Sequence, residues 1–287
     1  TWSDDRILVP NEAQHNVMSV SLLREQRSGD ILVFYLRKND PNDDCLLYVR
    51  RSTDELQSVG EPVLATPIPG YQVVNNDRVI QLTGGRLLVA AAHHTNAEGK
   101  FSGRGVPVSY YSDDEGRSWK AGEPVFPLRQ TPPSYVQEPG LVELQDGRVW
   151  MFMRTGHGCQ YGCYSSDRGH TWTTPEPIEA LASPRSPATI ERIPWNGGLL
   201  CLWNDHTGWH NHPPDPRRSP LAMTISNDEG ATWAASRVLD GEWKGSYCYM
   251  SLTFLDDRAL ISYYGPGGMK VLSLSKDWVL MQSPIHR

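Results

Sequence analysis

The chain has 287 residues, 39% of them hydrophobic, and 27 Lys plus Arg stand against 33 Asp plus Glu for a formal net charge of -6. That length can bury a sizeable core, and the acidic balance argues against an electrostatic grip on bulk nucleic acid or an anionic membrane, so any anion site has to be local. No apolar run is long enough for a span, and Thr1-Trp2-Ser3-Asp4-Asp5 carries neither the basic head nor the apolar stretch of a signal peptide, which leaves the compartment open.

The 25 Gly, 22 Pro and 10 Trp suit many short strands better than long helices. Taken in chain order, five strand-rich units are expected over about 11–66, 71–130, 134–180, 185–240 and 245–287. Each opens on an inner strand, aligned on a shared Leu as Asn16–Leu22, Asn76–Leu82, Glu138–Leu144 and Tyr249–Leu255, with Pro187–Ile193 a less regular copy. A turn and an apolar second strand follow, as in Gly84-Gly85 before Arg86–Ala91 and Asp146-Gly147 before Arg148–Met153. Three units then carry S-x-D-x-G-x-x-W, at Ser112–Trp119, Ser165–Trp172 and Ser226–Trp233, and Ser52-Thr53-Asp54-Glu55 keeps only its first half. The starts fall 60, 53 and 61 residues apart, the length of one four-stranded antiparallel unit with its turns. Locally, the Ser and Asp side chains tie down a tight turn, Gly takes a positive φ, and Trp packs back over the hairpin.

These boxes resemble the Asp-boxes, or BNR repeats, of the sialidase-like β-propellers, which carry them between the third and fourth strands of each blade, far from the active face. The resemblance implies an all-β, sialidase-like β-propeller, a single domain over 1–287. Thr1-Trp2-Ser3 reads like the tail of another box, as Thr171-Trp172-Thr173 does. The expectation is therefore a six-bladed parent whose first blade is mostly absent from this chain, with a five-bladed ring as the competing account.

In a propeller the inner strands start at the central pocket, so Asn16, Asn76, Glu138, Pro187 and Tyr249 should face one another. A phenol with pKa near ~10 is a poor nucleophile alone, but a carboxylate in reach can take its proton. Against an anionic sugar that pairing makes sense, because a carboxylate nucleophile would be repelled and a neutral phenol is not; the substrate carboxylate in turn calls for guanidinium forks. The stretch Glu138–Arg154 resembles the sialidase segment that holds the family's glutamate and second triad arginine, Arg218 its third arginine, and Tyr249-Met-Ser-Leu its nucleophile stretch. The implied activity is an exo-glycoside hydrolase releasing a terminal acidic sugar with retention, with Tyr249 as nucleophile, Glu138 as its base, and Arg154 and Arg218 on the carboxylate. Further substrate-binding candidates are Arg78, Asn76, Asn16, Arg37, His94 and Asp205, and Arg217 is an alternative to Arg218.

The family's first arginine and its aspartate acid are not present as such. Were the chain complete, Asn16-Val-Met-Ser would stand in the place of that arginine, and Asp40, Asp43 or Asp44 after Arg37 would be the acid candidates. Two other readings stay open: a polysaccharide lyase on uronate chains using Arg78, His93, His94 and Tyr249, and a glycan-binding propeller without catalysis. The run His206, His210 and His212 with Asp205 and Asp215 invites a metal, but its prolines mark a rim loop, and neither metal nor cofactor is expected. The five scattered cysteines form no C-x-x-C pair and read as buried thiols. The expected partner is a glycan or small acidic sugar, with no nucleic acid and no membrane.

Overall fold

A computed structural model of the chain describes residues 6–96, 98–125, 136–207, 217–241 and 245–281. Its strands fall into two compact units, Thr1–Pro124 with Gly169–Thr171, and Val125–Arg168 with Trp172–Arg287.

The first unit holds two antiparallel sheets. In one, β1 (Asn16–Arg24), β2 (Ile31–Lys38), β3 (Cys45–Ser52) and β4 (Val63–Leu64) pair in chain order. In the other, β5 (Gln72–Val73) and β6 (Val79–Gln81) both pair with β7 (Leu87–Thr95), which is followed by β8 (Phe101–Ser112) and β9 (Lys120–Ala121). Between the two sheets, Phe34, Leu36, Leu47 and Val49 join Leu87, Val89, Val108 and Tyr110 in one core, with the Trp119 ring edge-on to Phe34 at 5.7 Å.

The second unit holds three sheets. They are β10 (Gln137–Glu143), β11 (Val149–Arg154), β12 (Cys159–Ser165) and β13 (Glu176–Ala182); then β14 (Thr189–Arg192), β15 (Leu199–Asn204), β16 (Leu221–Ser226) and β17 (Arg237–Asp240); then β18 (Cys248–Phe254), β19 (Arg258–Gly265) and β20 (Gly268–Ser275). A short helix, α1 (Lys276–Leu280), follows β20 with Ser275 as its cap, and no helix among the described residues is long and apolar enough to cross a membrane. Strand periodicity explains why second strands read as unbroken apolar runs. Along β15, Leu199, Cys201 and Trp203 point into the core shared with Trp150 and Phe152, while Leu200 and Leu202 point into the core shared with Met250, Leu252 and Ile261. Every residue of β15 is buried because it has a sheet on each side.

The boxes sit where the resemblance implied, between third and fourth strands. In the copy at Ser112, the Gly116 amide donates to Ser112 Oγ at 2.8 Å, and the Ser118 amide and hydroxyl donate to Asp114 at 2.9 and 2.6 Å. The degenerate copy closes the same way, with the Leu56 amide on Ser52 Oγ at 2.9 Å and Ser58 on Asp54. The turn needs two successive positive φ values, Glu115 and Gly116 at 60° and 89°, and in the degenerate copy a leucine takes the second at 62°. Four such turns at one period mark the repeat as structural.

The inner strands correct one alignment. Leu82, Leu144, Ile193 and Leu255 each donate their amide across the same hairpin, to the carbonyls of Arg86, Arg148, Gly198 and Arg258. In the first sheet that place belongs to Glu25, whose amide reaches Asp30 O, and not to Leu22. Glu25 is fully buried, and its carboxylate accepts from the amides of Arg27 and Ser28 and from Gln81 Nε2, at 2.9, 2.7 and 2.6 Å. Asn16 is accordingly three residues out of register with Glu138 and Tyr249. The second inner strand is also not continuous, since residues 74–78 leave the ladder between β5 and β6.

Candidate functional site

Three inner strands carry the same irregularity near their start. In β10, Gln137 faces Arg154 and Gly140 faces Phe152, so three residues oppose two, and Glu138 takes φ 49°. In β18, Cys248 faces Tyr264 and Ser251 faces Ser262, and Tyr249 takes φ 59°. In β1, Met18 faces Leu36 and Ser21 faces Phe34, and Ser19 takes φ 58°. A bulge of this kind re-aims one side chain, and a positive φ at a residue with a Cβ is a strained conformation held by its surroundings. Gly140 belongs to the same device: a Cβ there would run into the Phe152 ring. The bulge places Glu138 and Tyr249 at equivalent positions of their sheets, and puts Ser19 at the position the alignment had given to Asn16.

In the second unit these residues form a charged cluster. Arg154, at the end of β11, donates from Nη1 to Glu138 Oε2, and the two side chains are only 10% and 9% exposed. Arg218 sets its guanidinium carbon 5.9 Å from the centre of the Tyr249 ring, and Tyr264 meets that ring edge-on at 6.5 Å. Tyr249 itself is 39% exposed. Cys248 lies among all three charges. Burial pushes its thiol up, the field of Arg218 and a hydrogen bond from it pull the other way, Glu138 adds to the rise and Arg154 opposes it. Glu138 and Arg154 from one blade and Arg218 from the next thus act on the thiol of the residue that precedes Tyr249 in a third.

Other candidates of this unit are committed elsewhere. Asp205 accepts from the Thr207 amide at 2.7 Å and Ser236 Oγ at 2.5 Å, so its carboxylate ties a loop to its own sheet. Asn204, which precedes Asp205 at the end of β15, is fully buried and bonded at both ends of its amide. His206 Nε2 lies 3.1 Å from Arg217 O, while His210, His212 and Asp215 lie outside the described residues. Among the described residues no group of three His, Cys, Asp or Glu could hold a metal ion.

In the first unit, Arg37 follows Leu36, which is the residue in register with Arg154. Its guanidinium is paired with Glu12 at 3.6 Å and lies 4.5 Å over the Tyr48 ring. Asn16 is exposed and turns its amide to Met18 Sδ at 3.6 Å. Asp40 accepts from the amides of Asn42 and Asp43, and the first of these bonds lowers its pKa; Asp44 accepts from Asn39 Nδ2. Both carboxylates serve the 39–44 turn. Arg78 is buried, with its amide on Ser21 Oγ and Nη1 on Asp77 O, and Asn76 donates its amide to Asn75 Oδ1. His94 Nδ1 lies 2.8 Å from Ser102 O with its ring stacked on Phe101, and His93 Nε2 lies 3.1 Å from Pro69 O. Burial lowers the His93 pKa, against the pull of that carbonyl.

A family model described as BNR repeat-like domain matches residues 1–261. Over 306 aligned residues the chain is 27% identical to a sialidase from Micromonospora viridifaciens, covering 97% of this chain and 45% of that protein. The chain thus spans less than half the length of this relative. Among solved structures, a protein of unknown function from Dyadobacter fermentans DSM 18053 superposes with a TM-score of 0.68 at 22% identity, covering 90% of this chain and 77% of that one. A leech intramolecular trans-sialidase, solved with 2,7-anhydro-Neu5Ac, gives a TM-score of 0.68 at 15% identity, covering 91% and 56%. Trypanosoma rangeli sialidase gives 0.64 at 14%, covering 91% and 45%. These likenesses show the fold, a sialidase-like β-propeller of which the described residues supply five blades.

Proposed function

Because this chain belongs to the BNR repeat-like domain family, we propose that it is an exo-glycoside hydrolase of the sialidase type, releasing a terminal acidic sugar, sialic acid or a relative of it, from glycans with retention. The observation that carries this reading is the buried Glu138–Arg154 pair together with Arg218 against the Tyr249 ring, with all three charges acting on Cys248 beside Tyr249. Arg154 and Arg218 bind the sugar carboxylate, and the neutral phenol beside them approaches the anomeric carbon without the repulsion a carboxylate would meet. Tyr249 Oη forms the bond to that carbon as its proton passes to Glu138, whose other oxygen stays on Arg154. The aglycone departs with its bonding pair and takes a proton from an acid outside this quartet. Water then attacks the glycosyl-tyrosine from the vacated face, giving its proton to the conjugate base of that same acid as the Tyr249 oxygen leaves and recovers its own from Glu138. Two displacements at one carbon return the starting configuration.

The lyase reading needs a histidine base or acid, and His93 and His94 both direct a ring nitrogen at a backbone carbonyl, which favours hydrolysis. The test is fluorogenic: 4-methylumbelliferyl α-N-acetylneuraminide should be hydrolysed by the wild type, and Tyr249→Phe and Glu138→Gln should each lose on the order of 10²-fold or more in kcat. Folded variants with wild-type turnover would remove both residues from the mechanism.

A further inference from the structure

We infer that Asn204 is a positioning residue that holds Arg218 on the substrate carboxylate, at the end of a relay of buried polar side chains running behind the site. The inference rests on the carboxylate-binding role proposed for Arg218.

The relay begins in β12. Gln160 Nε2 donates to Ser183 Oγ at 2.8 Å and to Ser186 O at 2.9 Å, which fixes the loop between β13 and β14. Ser186 Oγ then donates to Asn204 Oδ1 at 2.6 Å, and Asn204 Nδ2 donates to Arg218 O at 2.9 Å. Gln160, Ser186 and Asn204 are all fully buried, so water cannot stand in for a lost bond. A serine hydroxyl has one proton to give, and giving it to Oδ1 sets the direction of the Asn204 amide, which must present its NH2 to Arg218.

Arg218 depends on this because it lies in no strand. Residues 217–220 run beside β16 without joining the ladder, and their carbonyls are held one at a time. His206 Nε2 meets Arg217 O, the Asp205 amide reaches Pro220 O at 3.2 Å, and Arg218 O receives both Asn204 Nδ2 and the Tyr247 amide at 2.8 Å. The second donor is itself anchored, since Tyr247 Oη donates to Asp240 at 2.8 Å, and Tyr263 and Lys270 meet the same carboxylate. Tyr247 stands two residues before Tyr249. One carbonyl therefore ties the segment that carries Arg218 to the strand that carries the phenol, and Asn204 supplies the half of that tie that a single side chain controls. A guanidinium displaced by a fraction of an ångström loses its fit to a planar carboxylate while the reacting bond is left alone.

The test uses Asn204→Asp, which keeps the shape and the acceptor for Ser186 and turns the donor to the carbonyls of Arg218 and Pro220 into an oxygen that repels them, on 4-methylumbelliferyl α-N-acetylneuraminide. The expected result is a KM raised about 10-fold with kcat within about 2-fold. In the Arg218→Ala background the same substitution should change KM by less than about 2-fold, because the group it acts through is gone. Leu199→Ala, in the same strand but on its opposite face, in the core with Trp150 and Phe152, controls for general loosening and should leave KM unchanged. Should Asn204→Asp fail to fold, Ser186→Ala frees the amide to turn and should raise KM about 3-fold. An Asn204→Asp KM equal to that of Leu199→Ala, or an equal factor with and without Arg218, overturns the inference and leaves the proposed function standing. A wild type that neither hydrolyses the sialoside nor binds N-acetylneuraminic acid overturns the function and this role together.

Discussion

Replacing Arg154 by Met tests whether the ion pair at the base of the site is as buried as its geometry says. Arg154 and Glu138 are each about nine-tenths buried, and the guanidinium donates directly to the carboxylate. For an exposed pair the loss would be about 0–1 kcal/mol, since water would solvate the orphaned carboxylate. Here it would be left about nine-tenths out of water, and breaking such a pair from one side costs about 3–5 kcal/mol. The double variant Arg154→Met/Glu138→Gln removes both charges and should recover most of that loss, to within about 1 kcal/mol of the wild type. Urea unfolding followed by tryptophan fluorescence at pH 7.5 measures all of these. Losses under about 1 kcal/mol that simply add in the double variant would refute the reasoning, because they describe a hydrated pair.

Three further outcomes are expected. Hydrogen bonds from Ser28, Gln81 and Arg27 outweigh the effect of burial and hold Glu25 down to about 2 from its ordinary 4.5; a depressed carboxylate stabilises the fold above its unfolded pKa. Wild type should therefore exceed Glu25→Gln by about 1.5–3 kcal/mol above pH ~5, with the gap closing as pH falls from about 4.5 towards 2, as acid titration of the two proteins would show. Gly140→Ala puts a Cβ into the Phe152 ring and should cost about 1–3 kcal/mol in urea unfolding; a neutral result would mean the ring moves aside freely. Tyr249→Phe should keep the dissociation constant of N-acetylneuraminic acid within about 3-fold, measured calorimetrically, while abolishing turnover; loss of binding in step with turnover would make the phenol a ligand contact only.

The repeat was legible because its turn is built by neighbours in sequence. Ser112, Asp114, Gly116 and Ser118 satisfy one another within seven residues, and even Ser52 and Asp54, without the Gly and Trp, reproduce the turn. Glu138 and Tyr249 were legible because Leu144 and Leu255 close equivalent hairpins at the same distance downstream. The same rule misled in the first blade, where a buried glutamate takes the leucine's place; Asn16 was aligned where Ser19 belongs, and Arg37 was weighed as a ligand although Leu36 is the residue in register with Arg154. Positive φ at Glu138 and Tyr249 left no trace in residue type, since bulges usually advertise themselves with glycine. The relay through Ser186 and Asn204 was out of reach for another reason: its bonds join residues 14 to 26 positions apart, across elements that only the folded sheets bring together.

The most direct test of the central claim is the stereochemical course of hydrolysis, followed by time-resolved proton NMR on an α-sialoside. A tyrosine nucleophile requires two displacements, so the first free sugar to appear should be the α anomer, with the β form growing in only by mutarotation. Initial release of the β anomer would mean that water attacks the anomeric carbon directly, and would contradict the role given to Tyr249.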